Sequence, residues 1–422
     1  MRYQRLINTC LFCIMATIAM AQTSSNSPYT RYGFGELSDQ HFGNSKAMGG
    51  IAYGLRNGLQ VNAANPASYT AIDSLTFIFD AGLSLQNTNF KENGVSTNAK
   101  NSSIDYIAMQ FRLNKRMGMA MGFLPYSTVG YDLTQVKSIN KDEYGEDIES
   151  FHNYKGEGGL QQVFAGLGFK VFNNLSIGAN LSYLYGDISY ATMTSFNNTN
   201  AFSSVRSQKI IINSYKLDLG VQYTQKLGQK HVVNLGATYS YGHNMHSEGY
   251  NYTETYDSNS TLQTHSGDTI NNAFSLPHTF GVGMTYVYDN SLTVGMDYTL
   301  QKWADCKYFN KEGQYSDRHK ISLGAEYLPN YNGRKFWEVV RYRVGVHYAT
   351  PYAKVNGQEG AREYGASFGF GLPIFRSKSI LNISGQYIKV SPKVKGMLEE
   401  NYLRLNIGLT FNERWFMKYK VE

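Results

Sequence analysis

Cysteine, charge and long apolar runs are all scarce in this 422-residue chain, and each shortage excludes something. The only cysteines are Cys10, Cys13 and Cys306. The first two sit in a segment that reads as a secretory signal: Arg2 and Arg5, an apolar run from Leu6 to Ala19, then the small-x-small pattern Ala19-Met20-Ala21. Neither follows the Leu-small-small triplet of a lipoprotein signal. Cleavage after Ala21 makes Gln22 the first mature residue and leaves Cys306 without a partner, so no intramolecular disulfide can form even in an oxidising compartment. Beyond the signal there is no run of about 18 apolar residues, which excludes helical membrane spans. Charged residues make up 17% of the chain, and the formal net charge of +7 is not gathered into a basic stripe. Nucleic acid is therefore not an expected partner.

Tyrosine and glycine are abundant, with 34 and 41 residues. A soluble enzyme of this length rarely combines so many of both with so little charge. A large membrane β-barrel does: aromatics form girdles at the two interfaces, small residues face inward, and apolar side chains are needed only at alternate positions.

The apolar pattern has period two. From Leu175 to Asp187 the odd positions are Leu, Ile, Ala, Leu, Tyr, Tyr and Asp, whereas the even ones are mostly small or polar. Similar alternation occupies 75–85, 211–223, 233–241, 280–288, 292–300, 321–327, 340–348, 364–372 and 403–411, and weaker versions occupy 104–113, 117–123, 163–171 and 381–387. This predicts an all-β chain of fourteen antiparallel strands. Tight turns at 114–116, 172–174, 225–230, 289–290 and 376–378, with a looser one at 329–338, alternate with longer polar segments near 87–103, 127–158, 191–208, 243–278, 304–318, 351–362 and 389–400. Short turns on one side and long loops on the other are the habit of outer-membrane barrels, and an even strand number leaves both termini in the periplasm. The expected domains are a signal peptide over 1–21, an N-terminal segment over 22–72 and a transmembrane barrel over 73–422.

The segment Gln22 to Ile72 has no sustained period. Read by composition alone it is a disordered linker. It nevertheless carries Tyr29, Tyr32, Phe34, Phe42, Met48, Ile51, Tyr53 and Val61, too many apolar side chains to leave in water, and a fourteen-stranded wall encloses a lumen wide enough to hold it. It is expected to be a plug.

Several fragments, in order along the mature chain, resemble the FadL-like outer-membrane transporter family of long-chain fatty acid and aromatic hydrocarbon channels. Asn65-Pro66-Ala67 is similar to the junction of that family's hatch with its barrel. The run MAMGFLPY from Met119 to Tyr126 resembles its glycine-alternating third strand, which ends in Pro-Tyr. Leu276-Pro277-His278 before FGVGMTY looks like its Leu-Pro strand opening, and Asp297-Tyr298 with Trp303 resembles its Asp-Tyr-x-x-x-x-Trp segment. Ser127 replaces the usual glycine after Pro-Tyr, and Ser68 follows Asn-Pro-Ala. The resemblance implies a plugged channel for passive uptake of hydrophobic small molecules in the outer membrane of a Gram-negative cell, with no energy source of its own.

The same resemblance assigns candidate positions. Asn65, Pro66 and Ala67 would form the plug–barrel junction, for which a purely structural role of Pro66 serves equally well. Gly118, Gly122, Pro125 and Tyr126 would form a lateral gate, Pro125 either ending its strand at the outer rim or opening a window in the wall. Phe196, Phe202, Tyr250, Tyr252, Tyr256 and Phe274 would line an outer groove where apolar cargo first lands, or would simply pack the loops. Lys216 and Asp218 read as a charge pair in a wet lumen. No catalytic set is expected, since neither His278-Thr279 nor His319 with Ser322 places partners on one strand face. His243, His246, His265 and Asp268 share one loop without a preformed ligand geometry, so neither metal nor cofactor is expected. The expected partners are hydrophobic small molecules and outer-membrane lipid. The alternative function is that of a secretion-machinery barrel binding an exported protein.

Overall fold

The computed structural model describes residues 25–92, 94–141, 147–198, 201–355, 357–374, 378–393 and 397–414. The signal peptide and the cleavage site after Ala21 lie outside the described residues. Among the described residues seventeen strands share one sheet. Setting aside the two-residue strand Glu36–Leu37 and a hairpin, Ser247–Tyr256 with Leu262–Asn271, fourteen form a ring. In chain order they are β1 (Thr76–Glu92), β2 (Val95–Arg112), β3 (Met117–Lys141), β4 (Asp147–Lys170), β5 (Leu175–Phe196), β6 (Ser203–Leu227) and β7 (His231–Ser240). The remainder are β8 (Thr279–Tyr288), β9 (Leu292–Gln301), β10 (Arg318–Tyr327), β11 (Arg341–Ala349), β12 (Arg362–Pro373), β13 (Ile380–Ser391) and β14 (Glu399–Arg414). Each pairs antiparallel with its neighbour in sequence, and β14 closes on β1, from Glu399 opposite Lys91 to Arg414 opposite Thr76.

Period-two alternation decides which face meets what. Leu181, Val282, Met296, Leu323, Val346 and Leu403 point outward and are 45% to 61% exposed. An apolar surface that encircles the molecule is stable only against lipid. Tyr183, Tyr215, Tyr298, Tyr348, Tyr364 and Tyr387 rim this band at the long-loop end, and Tyr223, Tyr288, Tyr327, Tyr342 and Phe370 rim it at the short-turn end. A ten-residue strand such as β8 covers about 34 Å along its axis, or about 25 Å of bilayer at the usual tilt. The inward face is polar, with Gln110, Asn180, Gln222, Asp297, Arg343 and Asn406 all buried.

The wall is uneven. Strands β3 to β6 have 22 to 25 residues, whereas β7 to β11 have 9 or 10. Three segments expected as long loops, 87–103, 127–158 and 191–208, are largely strand. The alternation vanishes there because both faces of the projecting sheet meet water, leaving the backbone ladder without an apolar signature. The segment 243–278 likewise contains the hairpin, which pairs with the outer part of β6.

Candidate functional site

Residues 25–72 are held by groups on the buried, polar face of the wall. Three short helical elements order them, a 3-10 turn at Pro28–Arg31, an α-helical turn at Gly43–Ala47 and a second 3-10 turn at Pro66–Ala71. Asn65 caps the latter: its side-chain oxygen accepts from Ala67 N at 3.2 Å, and its amide nitrogen donates to the carbonyls of Tyr53 and Val221. Pro66 lacks a donor and fits the first position of that turn. Asp297 accepts from the backbone nitrogens of Ala52 at 2.6 Å and Tyr53 at 2.8 Å, and Ser367 accepts from Gly49 N at 2.9 Å. Ion pairs join Lys46 to Asp105 at 2.7 Å, Asp39 to Lys320 at 2.9 Å and Glu36 to Arg404 at 3.3 Å.

Close approach depends on glycine. Gly118, Gly168, Gly178 and Gly220 stand opposite one another across four strands, and Gly295, Gly324 and Gly345 across three more. A Cβ at Gly118 would overlap the Tyr69 carbonyl, one at Gly220 the Asn65 side chain, and one at Gly345 the backbone of Gly49. These rows form a smooth seat on which backbone lies against backbone. Toward the long-loop end, Phe34 meets Trp303 and Phe274 at ring separations of 6.0 Å, and Trp303 meets Tyr352 at 4.8 Å. Deeper in, Phe42 stacks on Tyr106 at 4.0 Å.

Burial and charge shift the protonation of the segment. Burial alone would raise the Asp39 carboxyl, but the Lys320 ammonium at 2.9 Å outweighs it and holds it well below the carboxylate range. His41 is pushed down to about 3, first by burial and then by Lys320, so it is neutral at physiological pH.

Between β2 and β3 the wall parts. Among the described residues they pair only from Arg112 opposite Gly118 to Ile107 opposite Phe123. Beyond that point β2 stays with β1 and β3 with β4, while Glu36 and Leu37 pair with Thr128 and Ser127 on the edge that β3 leaves open. The β3–β4 register shifts between Pro125 and Ser127. A cavity of about 540 Å³ adjoins this parting. Its lining takes in both faces of β2, the inward Asn101 and Tyr106 and the outward Ile104 and Ile107, together with Leu83, Leu85 and Phe123.

The residues singled out by sequence have varied fates. Asn65, Pro66 and Ala67 meet the wall at β5 and β6. Gly118 lies under Tyr69, and Gly122 lies where β3 approaches the Ile107 carbonyl, at the last paired rungs. Pro125 is within β3 rather than at its end, and it lines the cavity; Tyr126 packs inside the lumen. The six aromatics of the expected groove do not converge. Phe274 is fully buried beside Phe34, and Phe202 is exposed. Tyr250, Tyr252 and Tyr256 stand opposite the outward Lys209, Ser207 and Ser203 of β6, so they face away from the lumen, and Phe196 ends β5 opposite Ser150. A strand pattern cannot place such loop residues, because the face they take depends on the register of a hairpin whose pairing it does not reveal. Lys216 and Asp218 form an ion pair at 2.5 Å. Among the described residues no three His, Cys, Asp or Glu stand close enough to hold a metal. Sequence reasoning missed the glycine rows and the hold of Asp297 on the segment. Aligning the strands on their short turns would have brought the glycines into register.

A sequence model of the family described as BamG matches residues 4–422. No curated protein sequence matches the chain. Among solved structures, the Pseudomonas putida toluene transporter TodX aligns with a TM-score of 0.63 at 14% identity, covering 90% of this chain and 100% of that one. The monoaromatic hydrocarbon channel CymD aligns with a TM-score of 0.61 at 15% identity, covering 92% and 100%. A Pseudomonas aeruginosa FadL homologue gives 0.62 at 13%, covering 89% and 99%. At these identities the likeness is one of fold. The FadL-like resemblance thus holds for the barrel, while the sequence family that matches is a different one.

Proposed function

The chain belongs to the BamG family, and from that premise and the geometry of its barrel we propose an outer-membrane channel for hydrophobic small molecules, with lateral exit into the bilayer. In this reading residues 22–72 are the plug that denies ions a straight path. The observation that carries the reading is the cavity at the parting of β2 and β3, whose lining passes from inward to outward side chains around the β2 edge. Each CH₂ kept out of water is worth about 0.8 kcal/mol, so an apolar solute loses by entering the periplasm and gains by moving sideways. The fold likeness to hydrocarbon channels supports this reading. A pair of cysteines at Ile104 and Pro125, in a Cys306→Ser background, tests it. Bridging them with a reducible bis-thiol reagent is expected to stop uptake of an apolar tracer and reduction to restore it. Undiminished uptake by the bridged protein sinks the lateral route.

A second reading has its own observation. Strands β3 to β6 and the paired hairpin project beyond the outer aromatic rim as a sheet that no lipid covers. This suits a partner that binds an exported protein at the cell surface, and stoichiometric co-purification of one such protein, lost on trimming the projection, would favour it.

A further inference from the structure

Among the described residues the outer half of β3 has a paired strand on one side only. β4 accompanies it as far as Lys141 opposite Asp147, while on the other side the wall leaves it after Phe123 and the added strand Glu36–Leu37 reaches no further than Thr128. The last occupied rungs show which main-chain groups face that bare edge. The Tyr126 carbonyl accepts from Ser38 N at 2.9 Å, and Gly130 N donates to Thr30 Oγ1 at 3.3 Å. The register with β4 is unbroken from Ser127 to Ser138, so the period of two turns the N–H and C=O of Asp132, Thr134 and Val136 the same way as those of Gly130. These residues are exposed, and among the described residues no strand pairs with them on that side.

The side chains make this edge costly to leave in water. Leu133, Val136 and Ile139 are 39%, 50% and 58% exposed. Lipid does not reach them: Phe123 is level with the rim residue Tyr183 through Val163, and from there to Val136 the strand runs about 40 Å. Between Val129 and Ile139 there is no proline, and Lys137 is the only lysine, so the residues that normally guard an exposed edge are few.

We propose that this edge receives an extended segment of an exported protein as an added antiparallel strand, continuing outward the addition that Glu36–Leu37 begins. The backbone of that segment bonds Asp132, Thr134 and Val136, and its side chains cover Leu133 on one face and Val136 on the other. A second copy of this chain does not fit the place. β3 ascends in every copy within one membrane, so two such edges would meet parallel, whereas Glu36–Leu37 lies antiparallel. The inference rests on the surface-partner reading and narrows it from the whole projection to one strand edge.

The test titrates the full barrel in nanodiscs with a fluorescent peptide of alternating threonine and valine between terminal lysines, followed by anisotropy, and with the same peptide N-methylated at each threonine and valine. The methylated peptide cannot donate along either edge and is expected to bind at least about tenfold more weakly. Thr134→Pro removes a donor that faces the bare edge and spares the ladder to β4. It is expected to weaken the unmodified peptide several-fold with heat-modifiable gel migration unchanged; Val136→Lys, which sets a charge on the edge, is the second variant with the same expected direction. Equal binding of the two peptides, undiminished binding by the variants, or no binding of either peptide by the parent overturns the edge site. The same variants are then carried through co-purification. Loss of the exported protein from Thr134→Pro supports the edge, whereas its retention there overturns the edge and leaves the surface-partner reading standing. If no exported protein co-purifies with the parent, the surface-partner reading itself falls, and the proposal with it.

Discussion

A methyl group added to the seat should open the lumen. Gly236 of β7 lies against Tyr53, and a Cβ there would overlap that residue's carbonyl carbon and oxygen. The neighbouring atoms are backbone on both sides, so no side-chain rotation relieves the clash, and overpacking of this kind costs about 1 to 3 kcal/mol. The displaced carbonyl also accepts from Gln222 at 3.0 Å and from Asn65 at 2.8 Å, and each such bond is worth about 1 kcal/mol. Gly236→Ala should therefore weaken the hold on the segment by about 3 to 5 kcal/mol, shifting its release equilibrium by roughly 10² to 4 × 10³. Gly385→Ala is the control, because nothing stands within 4 Å of a Cβ at that position. Both variants should keep heat-modifiable gel migration, the sign of an intact barrel. Only Gly236→Ala should show frequent ion-conducting openings in a planar bilayer. If the two are equally silent, or if both conduct, the glycines do not seat the segment as described.

Other outcomes follow from the same contacts. Asp297→Ala leaves the buried Ala52 nitrogen and the part-buried Tyr53 nitrogen without an acceptor, at about 1 to 3 kcal/mol for the first and less for the second, so limited proteolysis should cut within residues 48–60 faster than in the parent; an unchanged cleavage rate would count against it. Deleting Tyr29 to Gln60 should leave an insertable barrel with raised conductance, and a deleted protein no leakier than the parent would remove the plug. The His41 pKa is depressed in the folded chain, to about 3 from an ordinary 6.5, so the unfastened state binds a proton the seated one refuses. Stability is then complete above about pH 6.5 and falls by up to about 1.4 kcal/mol per unit as pH drops toward the folded value. Protease sensitivity of the segment should rise between pH 7 and pH 4.5, and His41→Gln should flatten that rise. Phe34→Ala should loosen the outer aromatic cluster by about 3 to 5 kcal/mol, read as faster hydrogen exchange at Trp303 and Tyr315.

Much of the wall was legible because lipid on one face and polar lumen on the other impose alternation, as at 175–187 and 292–300. The projecting strands were not, since a sheet wetted on both sides needs no pattern; 127–141 reads as loop and folds as β3. The Asp-Tyr-x-x-x-x-Trp fragment stood out in sequence, but what it does there depends on neighbours far along the chain: Asp297 serves Ala52 and Tyr53, and Trp303 packs on Phe34. Glu36 and Arg404, 368 residues apart, carry no local signal that they meet. Tyr250 and Tyr252 lie in 243–278, read as a polar segment, and the register against β6 that turns them outward leaves no mark in that segment.

Passage of a lipophilic molecule through this barrel is measured as initial uptake by whole cells. Cells lacking the chain, cells expressing it and cells expressing the bridged Ile104→Cys/Pro125→Cys form would be given a radiolabelled apolar tracer at low concentration, with equal amounts of folded barrel verified in the outer membrane. Expression should raise the initial rate several-fold, bridging should return it to the level of cells without the chain, and reduction of the bridge should restore it. The same rate in all three would contradict such passage.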